Sequence, residues 1–109
     1  MANAYKVLGQ QGDASANNVT LYTCPASTET VVSTIVICNR EASVNTFRIA
    51  VRPDGATLDN QHYLAYDSSI NANDTVTLTL GITIDASDII SVGASDGNVS
   101  FSAFGTEIT

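Results

Sequence analysis

Charged side chains are scarce in this chain of 109 residues, where they make up 14% of the sequence, against about 25% in ordinary soluble domains. Only 4 residues are Lys or Arg, and the formal net charge at pH 7 is −7. Binding to nucleic acid and to anionic membranes depends on basic side chains near phosphate. The composition therefore predicts neither a nucleic-acid partner nor a membrane partner. Thr, Ser and Asn replace the missing charges, which is typical of β-rich proteins that work outside cells or in assembled particles.

Residues that carry chemistry are equally few. His62 is the only histidine, so a Ser–His–Asp or Cys–His catalytic arrangement would have to use it. Its place at a predicted strand edge favours an ordinary surface or packing role. Zinc needs a cluster of Cys and His ligands, and the loop carboxylates lack the ligand spacing of a calcium loop. We therefore predict no catalytic residue, no metal, no cofactor and no enzymatic activity.

Long apolar runs are also missing. The longest, residues 31–38, is far shorter than the ~20 residues of a transmembrane helix. Residues 1–6 lack the apolar core of a signal peptide, so we expect the chain to be made and folded in a cytoplasm. Cys24 and Cys38, the only cysteines, are then expected to remain unbridged thiols. In a hairpin of the segments around them, they would also lie on the order of 20 Å apart, beyond the ~7 Å Cα limit of a disulfide.

What the chain does have is alternation. From 76 to 84, every even position holds Val, Leu or Ile, and every odd position holds Thr or Gly. Successive side chains of a strand point to opposite faces, so the pattern predicts a half-buried antiparallel strand. Residues 31–38 are instead apolar on both faces, which predicts a central strand or one that faces another subunit.

Turn-forming residues recur at the spacing of a β-sandwich or barrel. We predict eight strands, at residues 4–9, 18–24, 30–39, 44–52, 62–66, 75–84, 89–94 and 99–108. The predicted fold is a single all-β domain over residues 1–109, an antiparallel β-sandwich of jelly-roll or immunoglobulin-like type, with residues 1–6 as a candidate N-terminal arm. The predicted core is Leu21, Ile35, Ile37, Phe47, Ile49, Val51, Leu64, Val76, Leu78, Leu80, Ile82, Ile90, Val92, Val99 and Phe101.

Four residues are candidates for a protein interface. Arg40, Arg48 and Arg52 fall in one predicted hairpin, and Arg is enriched at interfaces, although each could equally pair with a carboxylate of the protein's own surface. Tyr5 lies on the arm formed by residues 1–6, which could add as a strand to a neighbour's exposed edge. The tyrosines are also candidates for stacking on a sugar.

Several segments together resemble a known class of proteins. They are Val-Val-Ser-Thr-Ile-Val-Ile-Cys-Asn-Arg (31–40), Thr-Phe-Arg-Ile-Ala-Val-Arg-Pro (46–53) and Asn-Asp-Thr-Val-Thr-Leu (73–78), with Ala-Tyr-Lys-Val-Leu-Gly-Gln (4–10) at the start and Phe-Gly-Thr-Glu-Ile (104–108) at the end. The chain resembles small virion structural proteins of tailed phages, especially those of cyanobacteria and other aquatic bacteria. The resemblance extends over almost the whole length and includes no catalytic motif.

The resemblance implies a non-enzymatic structural protein of a phage virion. Such proteins are capsid decoration (cement) proteins or components of the tail, baseplate or fibre, the latter sometimes touching host glycans. We predict a decoration protein, made in the host cytoplasm and placed on the capsid surface. Its expected partners are the major capsid protein or another virion protein and further copies of itself. Local three-fold sites of capsids favour a trimer, and closed symmetry also allows a dimer.

Overall fold

The computed structural model describes residues 2–16 and 18–109, which form two antiparallel sheets packed as a sandwich. Sheet A has the order β1–β9–β3–β6, with β7 also paired to β3, and sheet B has the order β2–β8–β4–β5. The strands are β1 (Asn3–Gln11), β2 (Val19–Thr23), β3 (Glu29–Asn39), β4 (Asn45–Arg52), β5 (Tyr63–Ile70), β6 (Thr75–Leu78), β7 (Ile82–Ile84), β8 (Ile89–Ala94) and β9 (Val99–Ile108). The predicted all-β sandwich is confirmed.

The strand pairs are nested along the chain. The first strand pairs with the last (β1 with β9), β2 with β8, β3 with β6 and β7, and β4 with β5. This nesting is what results when one long antiparallel hairpin is wound into two sheets, and it is the topology of a jelly roll. An immunoglobulin-like sandwich would instead place the first two strands side by side in one sheet. Of the two predicted types, the pairing therefore selects the jelly roll.

The core lies between the sheets and follows the alternation of the sequence. On β3, Val32, Ile35 and Ile37 point inward and are at most 1% exposed. Phe101 on β9 and Ile49 on β4 meet them in the same buried cluster. β3 is a central strand of sheet A, as its apolar character on both faces predicts.

Two predicted core residues are wrong. Leu64 is 51% exposed and Leu80 is 47% exposed. The predicted strand over residues 75–84 ends at Leu78 and resumes at Ile82, because Gly81 has a φ of 63° and turns the chain. Leu80 falls in this break and loses its inward direction. Leu64 lies on the edge strand β5, whose pairing with β4 is irregular at this point.

Consecutive strands of the sandwich are mostly not hairpin partners. β3 and β4 belong to different sheets, as do β2 and β3, and β8 and β9. The predicted hairpin around Arg40–Arg52 therefore does not form. Both cysteines are free, as predicted. The hairpin assumed in that prediction does not form, because β2 and β3 belong to different sheets. Cys24 is buried against Thr28 and Thr30, near the start of β3, while Cys38 lies at its far end.

The helical segments of the described residues are two 3₁₀ turns, Pro53–Gly55 and Asn60–His62. No helix within residues 2–16 and 18–109 is long and apolar enough to cross a membrane.

Candidate assembly surfaces

Arg48 is the centre of a polar cluster on the outer side of sheet B. Its guanidinium donates two hydrogen bonds to the carboxylate of Asp67, at 2.6 and 3.1 Å, and lies 4.1 Å from the ring centroid of Tyr66. These contacts raise the pKa of the Arg48 guanidinium and hold the pKa of the Asp67 carboxyl below its usual range, chiefly through the hydrogen bonds between them. Arg48 thus pairs with the protein's own carboxylate, the alternative that its sequence left open, while Tyr66 remains 57% exposed.

Tyr63 and Tyr66 form a small aromatic cleft beside Arg48. Their rings meet edge to face with centroids 4.8 Å apart. Together with Asn60 they line an open cleft of about 260 Å³. Edge-to-face packing holds both rings in place, so the cleft presents two positioned aromatic side chains and one amide to solvent.

Arg52 lies on the same side of sheet B. Its Nε donates to the Oγ of Ser91 at 2.9 Å, and its Nη1 donates to the carbonyl of Ala56 at 3.1 Å. The arginine therefore covers Ser91, which is 2% exposed although it points away from the core.

Arg48, Arg52 and the aromatic cleft form one surface, which we call face B. Its members are Thr20, Thr23, Thr46, Arg48, Ala50, Arg52, Asn60, Tyr63, Tyr66, Asp67, Ser69, Ile89, Ser91 and Gly93.

Arg40 is separate from the other two arginines. It follows β3, and its guanidinium donates to the Oγ of Ser100 at 2.7 Å and to the carbonyls of Gly12 and Gly97 at 2.6 and 3.1 Å. These contacts join three connections at one end of the sandwich. The fourth candidate, Tyr5, lies in β1, where residues 3–6 pair with residues 105–108 of β9. Tyr5 is 81% exposed and points to the outer side of sheet A, so the four candidates do not form one surface.

The outer side of sheet A is a second candidate surface, of which the sequence indicated only the outward apolar residues of β3 and Tyr5. Strand register places three rows across it: Val7, Phe104 and Thr34; then Gln10, Ser102, Val36 and Thr77; then Tyr5, Thr106, Val31 and Thr83. We call this surface face A. Its members are Asn3, Tyr5, Val7, Gln10, Glu29, Val31, Thr34, Val36, Cys38, Thr75, Thr77, Thr83, Ser100, Ser102, Phe104, Thr106 and Ile108. Among these, Glu29 is the one charged residue.

A buried polar network fastens β1 to the sandwich. The Glu107 carboxylate, on the inner side of β9, accepts a hydrogen bond from the Tyr22 hydroxyl at 2.5 Å and lies 2.6 Å from Nζ of Lys6. Tyr22 in turn contacts the hydroxyl of Thr30 at 2.9 Å. The hydrogen bonds from Lys6 and Tyr22 lower the pKa of Glu107, and desolvation raises the pKa of Tyr22. The network joins a strand of sheet B to three strands of sheet A.

We expect Glu107→Gln to lower the free energy of unfolding by about 1–2 kcal/mol at pH 7. Because the folded-state pKa of Glu107 is below the 4.5 of an unperturbed glutamate, its contribution is complete above that pH and is lost as the pH falls further. Urea unfolding at pH 7 and pH 3 should therefore show a smaller difference between the two proteins at pH 3. An equal difference at both values would contradict the ion pair.

No arrangement in the described part of the chain suggests catalysis. His62 is buried and accepts a hydrogen bond at Nδ1 from the backbone N–H of Asp59 at 3.0 Å, which caps the second 3₁₀ turn. Residues 2–16 and 18–109 contain no group of three or more His, Cys, Asp or Glu able to hold a metal ion. The surfaces with distinctive chemistry are faces A and B, and both suit contact with another macromolecule.

No protein-family model and no curated protein matches this sequence. Among solved structures, it is similar to infectious bursal disease virus strain Gx, with 15% identity and a TM-score of 0.49, over 97% of this chain and 32% of that one. It is also similar to the acid-stable capsid structure of Helicobacter pylori bacteriophage KHP30, with 14% identity and a TM-score of 0.49, over 99% of this chain and 92% of that one.

A pentameric capsid protein from metagenomic phage sequences is similar over 95% of this chain and 62% of its own, with 19% identity and a TM-score of 0.37. The chain spans about a third of the length of the bursal disease virus chain that it matches. At these identities and scores the likeness assigns the chain to none of these families.

Proposed function

We propose that this protein is a non-enzymatic structural protein of a phage virion, and specifically a capsid decoration protein on the outer capsid surface. The observation that carries the proposal is the pair of contrasting faces. A decoration protein needs a rigid module, a docking surface and contacts with its own copies, and it needs no chemistry. Face B offers aromatic and Arg side chains, face A offers an uncharged surface, and the sequence segments quoted above resemble phage virion proteins.

Face B is the proposed docking surface. Interface hot spots are enriched in Tyr and Arg and are most effective when the side chains are held in place before binding. Asp67 and Tyr66 hold Arg48 in this way, and Ser91 and Ala56 hold Arg52. The proposed partner is the major capsid protein or another virion protein.

Two experiments test this function. Cryo-electron microscopy of virions of the phage that encodes this chain should show the sandwich on the capsid exterior. Density on the tail or baseplate, or no density, would contradict the decoration role. Binding of the purified protein to capsids that lack it then provides an assay for variants.

In that assay, we expect Arg48→Gln and Tyr66→Ala each to weaken binding by about 2 kcal/mol, or roughly 30-fold. The matched control is Tyr5→Ala, because Tyr5 is also an exposed tyrosine but lies on the opposite side of the sandwich. It should bind as the wild type does. Full occupancy by Arg48→Gln and Tyr66→Ala would show that face B is not the docking surface.

The aromatic cleft favours one alternative, a tail, baseplate or fibre component that binds host glycans. Tyr63, Tyr66 and Asn60 combine ring faces with an amide, which are the groups that bind sugars. Titration of host-surface glycans against wild type and Tyr63→Ala, followed by nuclear magnetic resonance, separates the two functions. Saturable shifts at the cleft that Tyr63→Ala abolishes would favour the alternative.

A further inference from the structure

Face A is large and has few charged groups for its size. It extends over four strand positions and about nine residues of strand length, which gives a flat area of roughly 550 Å² at ordinary strand spacings. Val7 is 50% exposed and Tyr5 is 81% exposed on it, and Val36 and Phe104 are half-buried near its middle. Two such faces in contact would cover on the order of 1,100 Å², just above the ~1,000 Å² that a specific interface needs.

We propose that face A is the contact between two copies of this chain, related by a two-fold axis that crosses the strands. The inference deepens the assembly role proposed above, on which it rests. It commits to a second copy as the occupant, because the distribution of charge suits that partner better than an unrelated protein.

The first argument is repulsion. The chain carries a net charge of −7, so two copies repel each other in most orientations. The carboxylates other than Glu29 lie in connections, in the Glu107 network or, for Asp67, on face B. Face A carries a single charge, so two copies that meet there bring few like charges together, and depletion of charge is a feature of interface cores.

The second argument is complementarity at the two ends. β3 crosses the whole face, with Glu29 at its first residue and Arg40 immediately after its last. A two-fold axis across the strands makes the two copies of β3 antiparallel, so Glu29 of each copy lies toward the Arg40 end of the other. Each end of the contact then holds one Glu29 and one Arg40, with the carboxylates of Glu41 and Asp74 beside Arg40, and the axis relates the two ends as in an isologous interface. A trimer would use a heterologous contact, which does not exploit this arrangement.

The test is self-association of the purified protein in the absence of capsids. Sedimentation equilibrium of the wild type should show a monomer–dimer equilibrium with a dissociation constant on the order of 10 µM. Ser102→Glu adds a carboxylate between Gln10 and Val36, so each dimer would bury two additional negative charges. We expect this variant to dissociate about 100-fold more readily or more.

Thr23→Glu is the matched control. It adds the same charge at an exposed strand position of face B, on the other sheet, and should dimerise as the wild type does. Circular dichroism and thermal unfolding must show that both variants are folded. If Ser102→Glu does not fold, Thr77→Glu, at an exposed position of β6 on face A, replaces it with the same expected loss.

Cys38 gives a readout that needs no mutation. It is half-exposed on face A, whereas Cys24 is buried, so alkylation by iodoacetamide reports on face A. Its rate should fall as the protein concentration rises through the dissociation constant.

Several results would overturn the proposal. They are a wild type that remains monomeric at about 1 mM, a trimer, equal dissociation of the Ser102→Glu and Thr23→Glu variants, or an alkylation rate that does not depend on concentration. Because no virion is present, these results are independent of the capsid assay. A monomer whose binding to capsids is lost in Ser102→Glu would instead assign face A to the capsid.

Discussion

We expect Gly105→Ala to lower the free energy of unfolding by about 3 kcal/mol or more. A Cβ added at Gly105 would lie 2.0 Å from the carbonyl oxygen of Val31 and 3.0 Å from the Cα of Val32. Both atoms belong to the backbone of β3, so no side-chain rotation can relieve the contact. The two strands would have to separate where β3 carries its irregular register between Val32 and Thr34.

Thermal unfolding measures this effect directly, and a destabilisation of that size should lower Tm by about 10 °C or more. Gly12→Ala is the control, because a Cβ there has no atom within 4 Å, and the change should be neutral or slightly stabilising. Gly9→Ala should match Gly105→Ala, since its Cβ would lie 2.0 Å from the carbonyl oxygen of Leu21 on the other sheet. A wild-type Tm for Gly105→Ala would show that the strands are further apart than described.

The local features of this fold could be predicted from the sequence because they depend on neighbouring residues. Alternation predicts which residues of β6 and β7 point inward, since successive side chains of a strand alternate between faces. The apolar character of β3 on both faces correctly predicts a central strand. Leu80 shows the limit of this reasoning. A single residue with positive φ, Gly81, interrupts the strand. Leu80 is therefore exposed, although the alternation of apolar and polar residues continues through it.

The pairing of strands could not be predicted in the same way. Asp96 and Gly97 form a turn between two apolar segments, which is a hairpin signal. The chain does turn there, but it passes from sheet B to sheet A. A turn that returns beside its own strand and one that crosses to the opposite sheet use the same residue types. The choice depends on contacts between β1 and β9, whose paired residues lie 90 to 105 positions apart in the chain.

The candidate site shows the same division. The composition predicts a surface with few charges, and the sequence of β3 indicates that the outer side of this strand is apolar. The partners of the arginines could not be predicted, because they come from distant segments: Asp67 for Arg48, Ser91 for Arg52, and Gly12 and Gly97 for Arg40. The three arginines are close together in the sequence, which predicts one surface. The sandwich instead places Arg40 at one end and Arg48 and Arg52 on face B.

Asn39→Leu should be as destabilising as the glycine variant, for a different physical reason. Asn39 is 1% exposed. Its Nδ2 donates to the carbonyls of Ser43 and Asn71 at 2.8 and 3.1 Å, and its Oδ1 accepts from the backbone N–H of Glu41 at 3.1 Å. Its Oδ1 also accepts from Asn45 at 3.0 Å. Leucine satisfies none of these groups. Because each buried polar group left without a partner costs about 1–3 kcal/mol, we expect a loss of about 3 kcal/mol or more.

Asn39→Asp distinguishes lost hydrogen bonds from lost packing, since it keeps the shape of the side chain. At pH 7 an ionised oxygen would face the carbonyls that Nδ2 now contacts, so the variant should be strongly destabilised. A protonated carboxyl could donate to one of them, which raises the folded-state pKa above the ~3.9 of an unfolded aspartate. The folded state then holds its proton more tightly, so stability relative to the wild type should recover as the pH falls toward 4.

This pH dependence is opposite in sign to that of Glu107, whose ionised form is the stabilising one. Urea unfolding of Asn39→Asp at pH 7 and pH 4 measures the recovery. Asn71→Asp serves as the control, because it adds the same charge at an exposed position in the adjoining turn and should change stability little at either pH. A loss in Asn39→Asp that does not vary between pH 7 and pH 4 would contradict this account, because a protonated carboxyl would then restore none of the hydrogen bonds that Nδ2 donates.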